Sequence, residues 1–180
     1  MKQTKVFIIC GKARNGKDTT AEMIRNYYSD KKTINLQYSS YIKEYAKKIS
    51  GWDGSEETKP RSFLQELGTE VIRKQMGFDF FVKRIIDDIK IYSNYFDVIT
   101  ISDARAKIEI EDVKKNIDNV YAIEVVRSNF DNGLSENEKK HFTEKDLDGY
   151  KGYDYTLLND GTLDDLNKKV IELMDKIENE

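Results

Sequence analysis

The strongest constraint on this chain is an unbroken apolar run, Val6 to Cys10, that ends at Gly11 and gives way to a helical pattern from Lys17. A run without a polar member suits a strand covered on both faces, as the strands of parallel sheets are. Between strand and helix stands Gly11-Lys12-Ala13-Arg14-Asn15-Gly16-Lys17, which has the spacing G-x-x-x-x-G-K. Glycines at those places allow backbone angles closed to other residues, so successive N–H groups turn inward and cradle phosphate oxygens. The helix that follows adds the positive end of its dipole. Lys17 is placed to meet the β- and γ-phosphates as a point charge. Strand, loop and helix together predict nucleoside triphosphate binding by Gly11, Lys12, Ala13, Arg14, Asn15, Gly16, Lys17, Asp18 and Thr19, with the reaction left open.

One position departs from the usual loop. The residue after the lysine is ordinarily Ser or Thr, whose hydroxyl ligates Mg²⁺; here it is Asp18, with Thr19 next. A carboxylate can also hold Mg²⁺, directly or through water. Aspartate equally suits the first turn of a helix as a cap. Both readings stand at this point.

Downstream, short runs rich in β-branched and aromatic residues at Lys5–Cys10, Thr33–Tyr38, Phe96–Ser102, Val120–Arg127 and Tyr153–Leu158 alternate with helical spacing. The helical stretches are Lys17–Tyr28, Ser40–Ile49, Pro60–Met76, Asp79–Tyr92, Lys107–Ile117 and Leu163–Ile177, with Pro60 as a first helical residue. This predicts an α/β fold in one domain over residues 1–180: a five-stranded parallel sheet with helices on both faces. The balance of 30 basic and 33 acidic residues gives a net charge of −3 and no general footprint for nucleic acid. One cysteine and one histidine build neither a disulfide nor a zinc site. No run approaches the ~20 apolar residues of a membrane span or the length of a signal-peptide core. The expectation is a soluble, cytoplasmic protein, monomer or homodimer, acting on small molecules.

The chain resembles the nucleoside monophosphate kinases, and within them the phage-type deoxynucleoside monophosphate kinases. The resemblance rests on GKARNGKDTT, on Tyr38–Glu44 and Arg61–Arg73, on Ser102-Asp103-Ala104-Arg105 and Val125-Val126-Arg127, and on His141–Glu144 and Leu158–Thr162. It implies a P-loop kinase fold, a three-layer α/β/α sandwich, and ATP- and Mg²⁺-dependent phosphoryl transfer to a (deoxy)nucleoside monophosphate. An acceptor region would span about 39–95 and a lid-like insertion about 128–152. Phosphoryl transfer needs positioning and charge neutralisation, which makes Lys17, Asp103 and Arg105 the catalytic candidates and Asp18 with Asp103 the metal candidates. Arg127, Asn159 and Gly161 would complete the ATP site, while Ser39, Lys43, Arg61, Gln65 and Arg73 would hold the acceptor. Arg61 and Arg73 stand twelve residues apart, roughly 120° out of phase on an ideal α-helix, so they are not expected to share a narrow face.

Phosphomevalonate kinases of animal type share the GKD loop and the S-D-x-R segment, so a different phosphorylated acceptor is the competing reading. A regulatory nucleotide-binding protein without turnover is a third. The insertion carries no arginine, only Lys139, Lys140, Lys145 and Lys151, so any neutralising guanidinium comes from Arg14, Arg105 or Arg127. His141 is expected to pack rather than act as a base, Cys10 to be inert core, and the aromatic residues of 78–95 to be core. Trp52 reads either as an anchor of its loop or as a wall of the acceptor site.

Overall fold

Strand β1 (Lys5–Cys10) is buried on both sides, and the pleat divides it. Val6, Ile8 and Cys10 face one apolar cluster, whereas Phe7 and Ile9 face the other. A strand so placed needs neighbours on both edges, and β1 pairs in parallel with β3 (Val98–Ala104) and with β4 (Val120–Val126). Strands β2 (Thr33–Leu36) and β5 (Tyr155–Leu158) complete a five-stranded parallel sheet in the order β2-β3-β1-β4-β5. The computed structural model describes residues 4–128, 130, 133 and 142–180.

Helices cover both faces, as the alternation predicts. Helix α1 (Lys17–Tyr27) and the C-terminal helix α8 (Leu163–Glu178) pack on the Phe7 and Ile9 face through Ile24, Leu166, Val170 and Met174. Thr162 and Asp165 cap α8 reciprocally. The opposite face holds α2 (Tyr38–Ser50), α5 (Phe80–Tyr92) and α6 (Ile108–Asn116), joined to the core by Ala46, Phe81, Ile85, Ile89 and Ile110. A short helix, α7 (Phe142–Lys145), precedes β5.

Three of the departures from the sequence expectation bear on the site. Strand β3 runs on to Ala104, two residues past the expected end at Ser102, so Asp103 belongs to the strand instead of following it. Helix α2 starts at Tyr38, earlier than the expected Ser40, because the Asp103 carboxylate accepts from the backbone N–H groups of Tyr38 and Ser39, both at 2.9 Å. Pro60 stands one place before α3 (Arg61–Glu66), which passes into a π-helix (Leu67–Arg73) and then α4 (Lys74–Met76) where a single α-helix was expected. Phe81 is core as expected, but Phe78 and Tyr95 are exposed.

Candidate active site

The loop after β1 is built from its own backbone. Gly11 has φ 138°, and a Cβ there would collide with the Val125 carbonyl oxygen of β4. Only glycine lets the loop lie this close to the sheet. Gly16, at φ 97°, is the residue before α1, and no described side chain caps that helix. Its first N–H groups are therefore available to an anion. Asn15 donates to Val125 O at 3.0 Å, and Asn159, at the end of β5, donates to Asn15 O at 2.9 Å. Asn159 thus ties the donor-side turn to the loop, whereas Gly161 packs on the Asp165 carboxylate at the start of α8.

Lys17 is buried and donates to Lys12 O at 2.9 Å. Burial, and then the nearby Arg105 guanidinium, push its ammonium down to about 8, against the opposite pull of Glu144, Asp18 and Asp103. Above the loop lies α7. Glu144 accepts from Ala13 N at 3.3 Å and pairs with Arg105, its side chain 8% exposed. Asp148 pairs with Lys12 at 3.0 Å. The chain's own carboxylates therefore sit on donors that phosphate would use.

Asp18 does not cap α1. Its Oδ1 accepts from the Ser102 hydroxyl at 2.7 Å and from Gln37 Nε2 at 3.4 Å. Asp103 is committed to the start of α2, although each oxygen that accepts there keeps a second lone pair. Thr19 is half-buried in the first turn of α1, and Arg14 adopts φ 63° at the crest of the loop.

Beside the loop opens a cleft of about 520 Å³. Ser39, Lys43, Arg61, Gln65 and Arg73 all line it, together with Asp18, Asp103 and Arg105. That Arg61 and Arg73 share one cleft overturns the expectation from α-helical phase, and the π-helix explains it. Bonding i→i+5 winds more than four residues into a turn, so each residue advances roughly 80° instead of 100°. Over the seven steps from Glu66 to Arg73 the lag is roughly 120–140°, which cancels the offset. The two arginines are held differently. Arg61 is 75% exposed, with a 3.4 Å contact to Glu56. Arg73 is 10% exposed, lies 5.0 Å from the Phe81 ring centroid, donates to Gly68 O at 3.3 Å and pairs with Glu109 at 3.5 Å.

Glu109 escaped the sequence reading. On α6 it looks like any solvated glutamate, yet it is buried and accepts from the backbone of Arg105 at 2.7 Å and of Ala106 at 3.0 Å. Burial pushes its carboxyl up to about 7. Glu144 and Ser102 lay inside motifs noted above but were given no role. Only the strand order shows that Ser102 meets Asp18.

Arg127 follows β4, lines a smaller hollow of about 220 Å³ with Gly11, Lys12 and Asn15, and stacks 3.8 Å from the Phe130 ring centroid. Trp52 is resolved as a loop anchor: it is buried, and its indole N–H donates to Ser55 O at 3.0 Å. Cys10 is buried and burial raises its thiol, in line with inert core. His141, Lys139 and Lys140 lie outside the described residues, as does much of the expected insertion. Among the described residues no three metal-binding side chains of the His, Cys, Asp and Glu type cluster, and no helix is long and apolar enough to cross a membrane.

Several solved kinases share this fold. The chain is similar to the APS kinase of Mycobacterium tuberculosis in complex with AMPPNP and APS (TM-score 0.55, 13% identity, 97% of this chain and 99% of that one). It is similar to the dephospho-CoA kinase of Campylobacter jejuni (TM-score 0.55, 14% identity, 97% and 98%) and to the shikimate kinase of Aquifex aeolicus (TM-score 0.53, 13% identity, 96% and 98%). At such identities the likeness speaks for the P-loop kinase fold alone. No curated protein matches the chain in sequence. A family model described as deoxynucleotide monophosphate kinase matches residues 29–170.

Proposed function

Since the chain belongs to the deoxynucleotide monophosphate kinase family, we propose that the 520 Å³ cleft receives a deoxynucleoside monophosphate and that the loop after β1 receives ATP. The protein is an ATP-dependent nucleotide kinase. The family match begins at residue 29, beyond the phosphate loop, so loop and match support the reading independently.

The observation that carries the assignment is the convergence of Ser39, Lys43, Arg61, Gln65 and Arg73 on one cleft that also reaches Asp18, Asp103 and Arg105. Arg61 and Arg73 would approach the acceptor phosphate from the same side, one exposed at the rim and one buried beneath it. Lys17 and Arg105 neutralise the transferring group between the two substrates, in the absence of arginine from 128–152. Arg127 and the turn at Asn159 and Gly161 bound the adenine side.

The donor set fits Mg²⁺, a hard cation that takes oxygen ligands and is commonly held by one or two carboxylates, water and substrate phosphates. Asp18, whose carboxylate is turned away from its own helix, would hold the ion, and Asp103 would anchor a coordinated water. The ion would supply neutralisation of phosphate charge. In-line attack by the acceptor phosphate requires little base chemistry, and no side chain is assigned that role.

A coupled ADP-release assay over the ribo- and deoxynucleoside monophosphates, with phosphomevalonate as a control, tests the reading. Turnover with at least one deoxynucleotide is expected. Turnover with phosphomevalonate alone moves the acceptor outside the nucleotides.

A further inference from the structure

In phosphate-loop enzymes the Mg²⁺ between the β- and γ-phosphates is held by the hydroxyl that follows the loop lysine and by a carboxylate from a neighbouring strand. Here the same two chemical groups face each other with their places exchanged. The carboxylate, Asp18, follows the loop lysine in the first turn of α1; the hydroxyl, Ser102, is near the end of β3, the strand that pairs with β1. They are joined by a 2.7 Å hydrogen bond.

The direction of that bond follows from counting donors. Ser102 Oγ accepts from Asn35 Nδ2 at 3.1 Å and from Gln37 Nε2 at 3.2 Å. A hydroxyl has two lone pairs and one hydrogen, so with both lone pairs engaged its hydrogen is left for Asp18. The order extends inward. Asn35 Oδ1 accepts from the Thr100 hydroxyl at 2.8 Å, and Thr100 Oγ1 accepts from Arg25 Nη1 at 2.8 Å. Thr100 and Ser102 are fully buried. A chain of donors therefore runs one way, from the Arg25 guanidinium through Thr100, Asn35 and Ser102 to the Asp18 carboxylate. Bonds aligned in this way polarise one another.

We propose that Ser102 is a positioning residue for Asp18, and that the hydroxyl–carboxylate pair of the metal site is present here with its two members exchanged between loop and strand. The inference rests on Asp18 serving Mg²⁺, as proposed above. It accounts for two observations together: Asp18 leaves α1 uncapped, and Asp103, the carboxylate next to Ser102 on β3, already accepts from the start of α2 with each oxygen, which suits it to anchor a water more than to ligate the ion directly. Ser102 holds one carboxylate oxygen of Asp18 and leaves the other for the ion or its water.

The test is calorimetric titration of ATP with Mg²⁺ and with EDTA, read as the dissociation constant in EDTA divided by that in Mg²⁺. Asp18→Ser should lower that ratio. Ser102→Ala should lower it about tenfold, the scale of lost orientation of a metal ligand, with metal-free affinity unchanged. Ser102→Thr, which keeps the hydroxyl, should retain it. The exchanged double variant Asp18→Ser/Ser102→Asp should recover part of what Asp18→Ser loses. A lowered ratio in Asp18→Ser but not in Ser102→Ala would overturn the role of Ser102 and leave that of Asp18 standing. An unchanged ratio in both would overturn the metal role of Asp18 and this inference with it. Equal loss in Ser102→Ala with and without Mg²⁺ would make Ser102 a fold residue only. Should the double variant fail to fold, the Ala and Thr variants still decide.

Discussion

At the rim of the acceptor cleft, Lys59 and Arg61 share Glu56, whose side chain is 69% exposed, and Arg61 is 75% exposed. At the phosphate loop, Glu144 is 8% exposed and sits on both Ala13 N–H and Arg105. Both regions are electropositive sites whose cations are partnered by carboxylates of the same chain. They differ in the cost of exchange. Exposed ion pairs contribute about 0–1 kcal/mol, so a substrate phosphate displaces Glu56 cheaply. Glu144 is desolvated and hydrogen-bonded, and releasing it forfeits contacts that a triphosphate must replace. On the proposed assignment, acceptor binding would displace a weakly held exposed carboxylate, whereas donor binding would displace a buried one.

The largest expected effect tests whether the loop does more than bind. Lys17→Ala should lower kcat by about 10²–10³-fold with a smaller change in ATP affinity, because the ammonium meets charge that develops on the transferred group. Intact kcat with weakened ATP binding would reduce Lys17 to a ground-state contact.

Next in size is a pH effect beneath the cleft. Glu109 titrates near 7 in the fold and near 4.5 when ordinary, so its contribution to stability is full below pH 4.5 and is lost as pH rises through 7. Between pH 5 and 8, urea unfolding should show wild type losing stability relative to Glu109→Gln by on the order of 3 kcal/mol. Parallel pH profiles would mean that Arg73 keeps Glu109 ionised throughout.

Arg61→Ala should raise the acceptor KM by about tenfold while ATP affinity stays within a factor of two, since a guanidinium at an open rim contributes a charge-assisted bond to one substrate. An equal loss for both substrates would erase the distinction between the regions. The smallest effect carries the sharpest contrast. Glu144→Gln should tighten ATP binding by about three- to fivefold, because the displaced group no longer competes as an anion. Weakened ATP binding in that variant would show that Glu144 belongs to the bound state.

Much of this was legible in the chain because it is local. The apolar run, the glycine spacing and the lysine of the loop lie within residues 6–17, and their geometry needs no distant partner. The alternation of strands and helices gave the sheet, and the acceptor candidates followed from a family resemblance. What stayed hidden depends on contacts across the sequence. Ser102 and Asp18 are 84 residues apart and meet only because β3 lies beside β1. Glu109 is buried only because α6 packs under the turn that carries Arg105. That Asp103 also anchors the start of α2, one backbone N–H to each oxygen, shows only once the fold brings β3 beside that helix.

The π-helix makes the proposed acceptor recognition tolerant of a change in chain length. A π turn is an α turn with an extra residue accommodated, so removing one residue from Leu67–Arg73 would relax the segment toward ordinary winding. The step lost and the roughly 20° regained at each remaining step nearly cancel, so Arg73 would turn by no more than roughly 40° relative to Arg61. Winding the same residues as an α-helix without a deletion would instead carry Arg73 round by roughly 120–140°, although no residue that lines the cleft had been replaced. A single-residue gap here would therefore preserve the grip on the acceptor phosphate, and a gapless change of winding would break it.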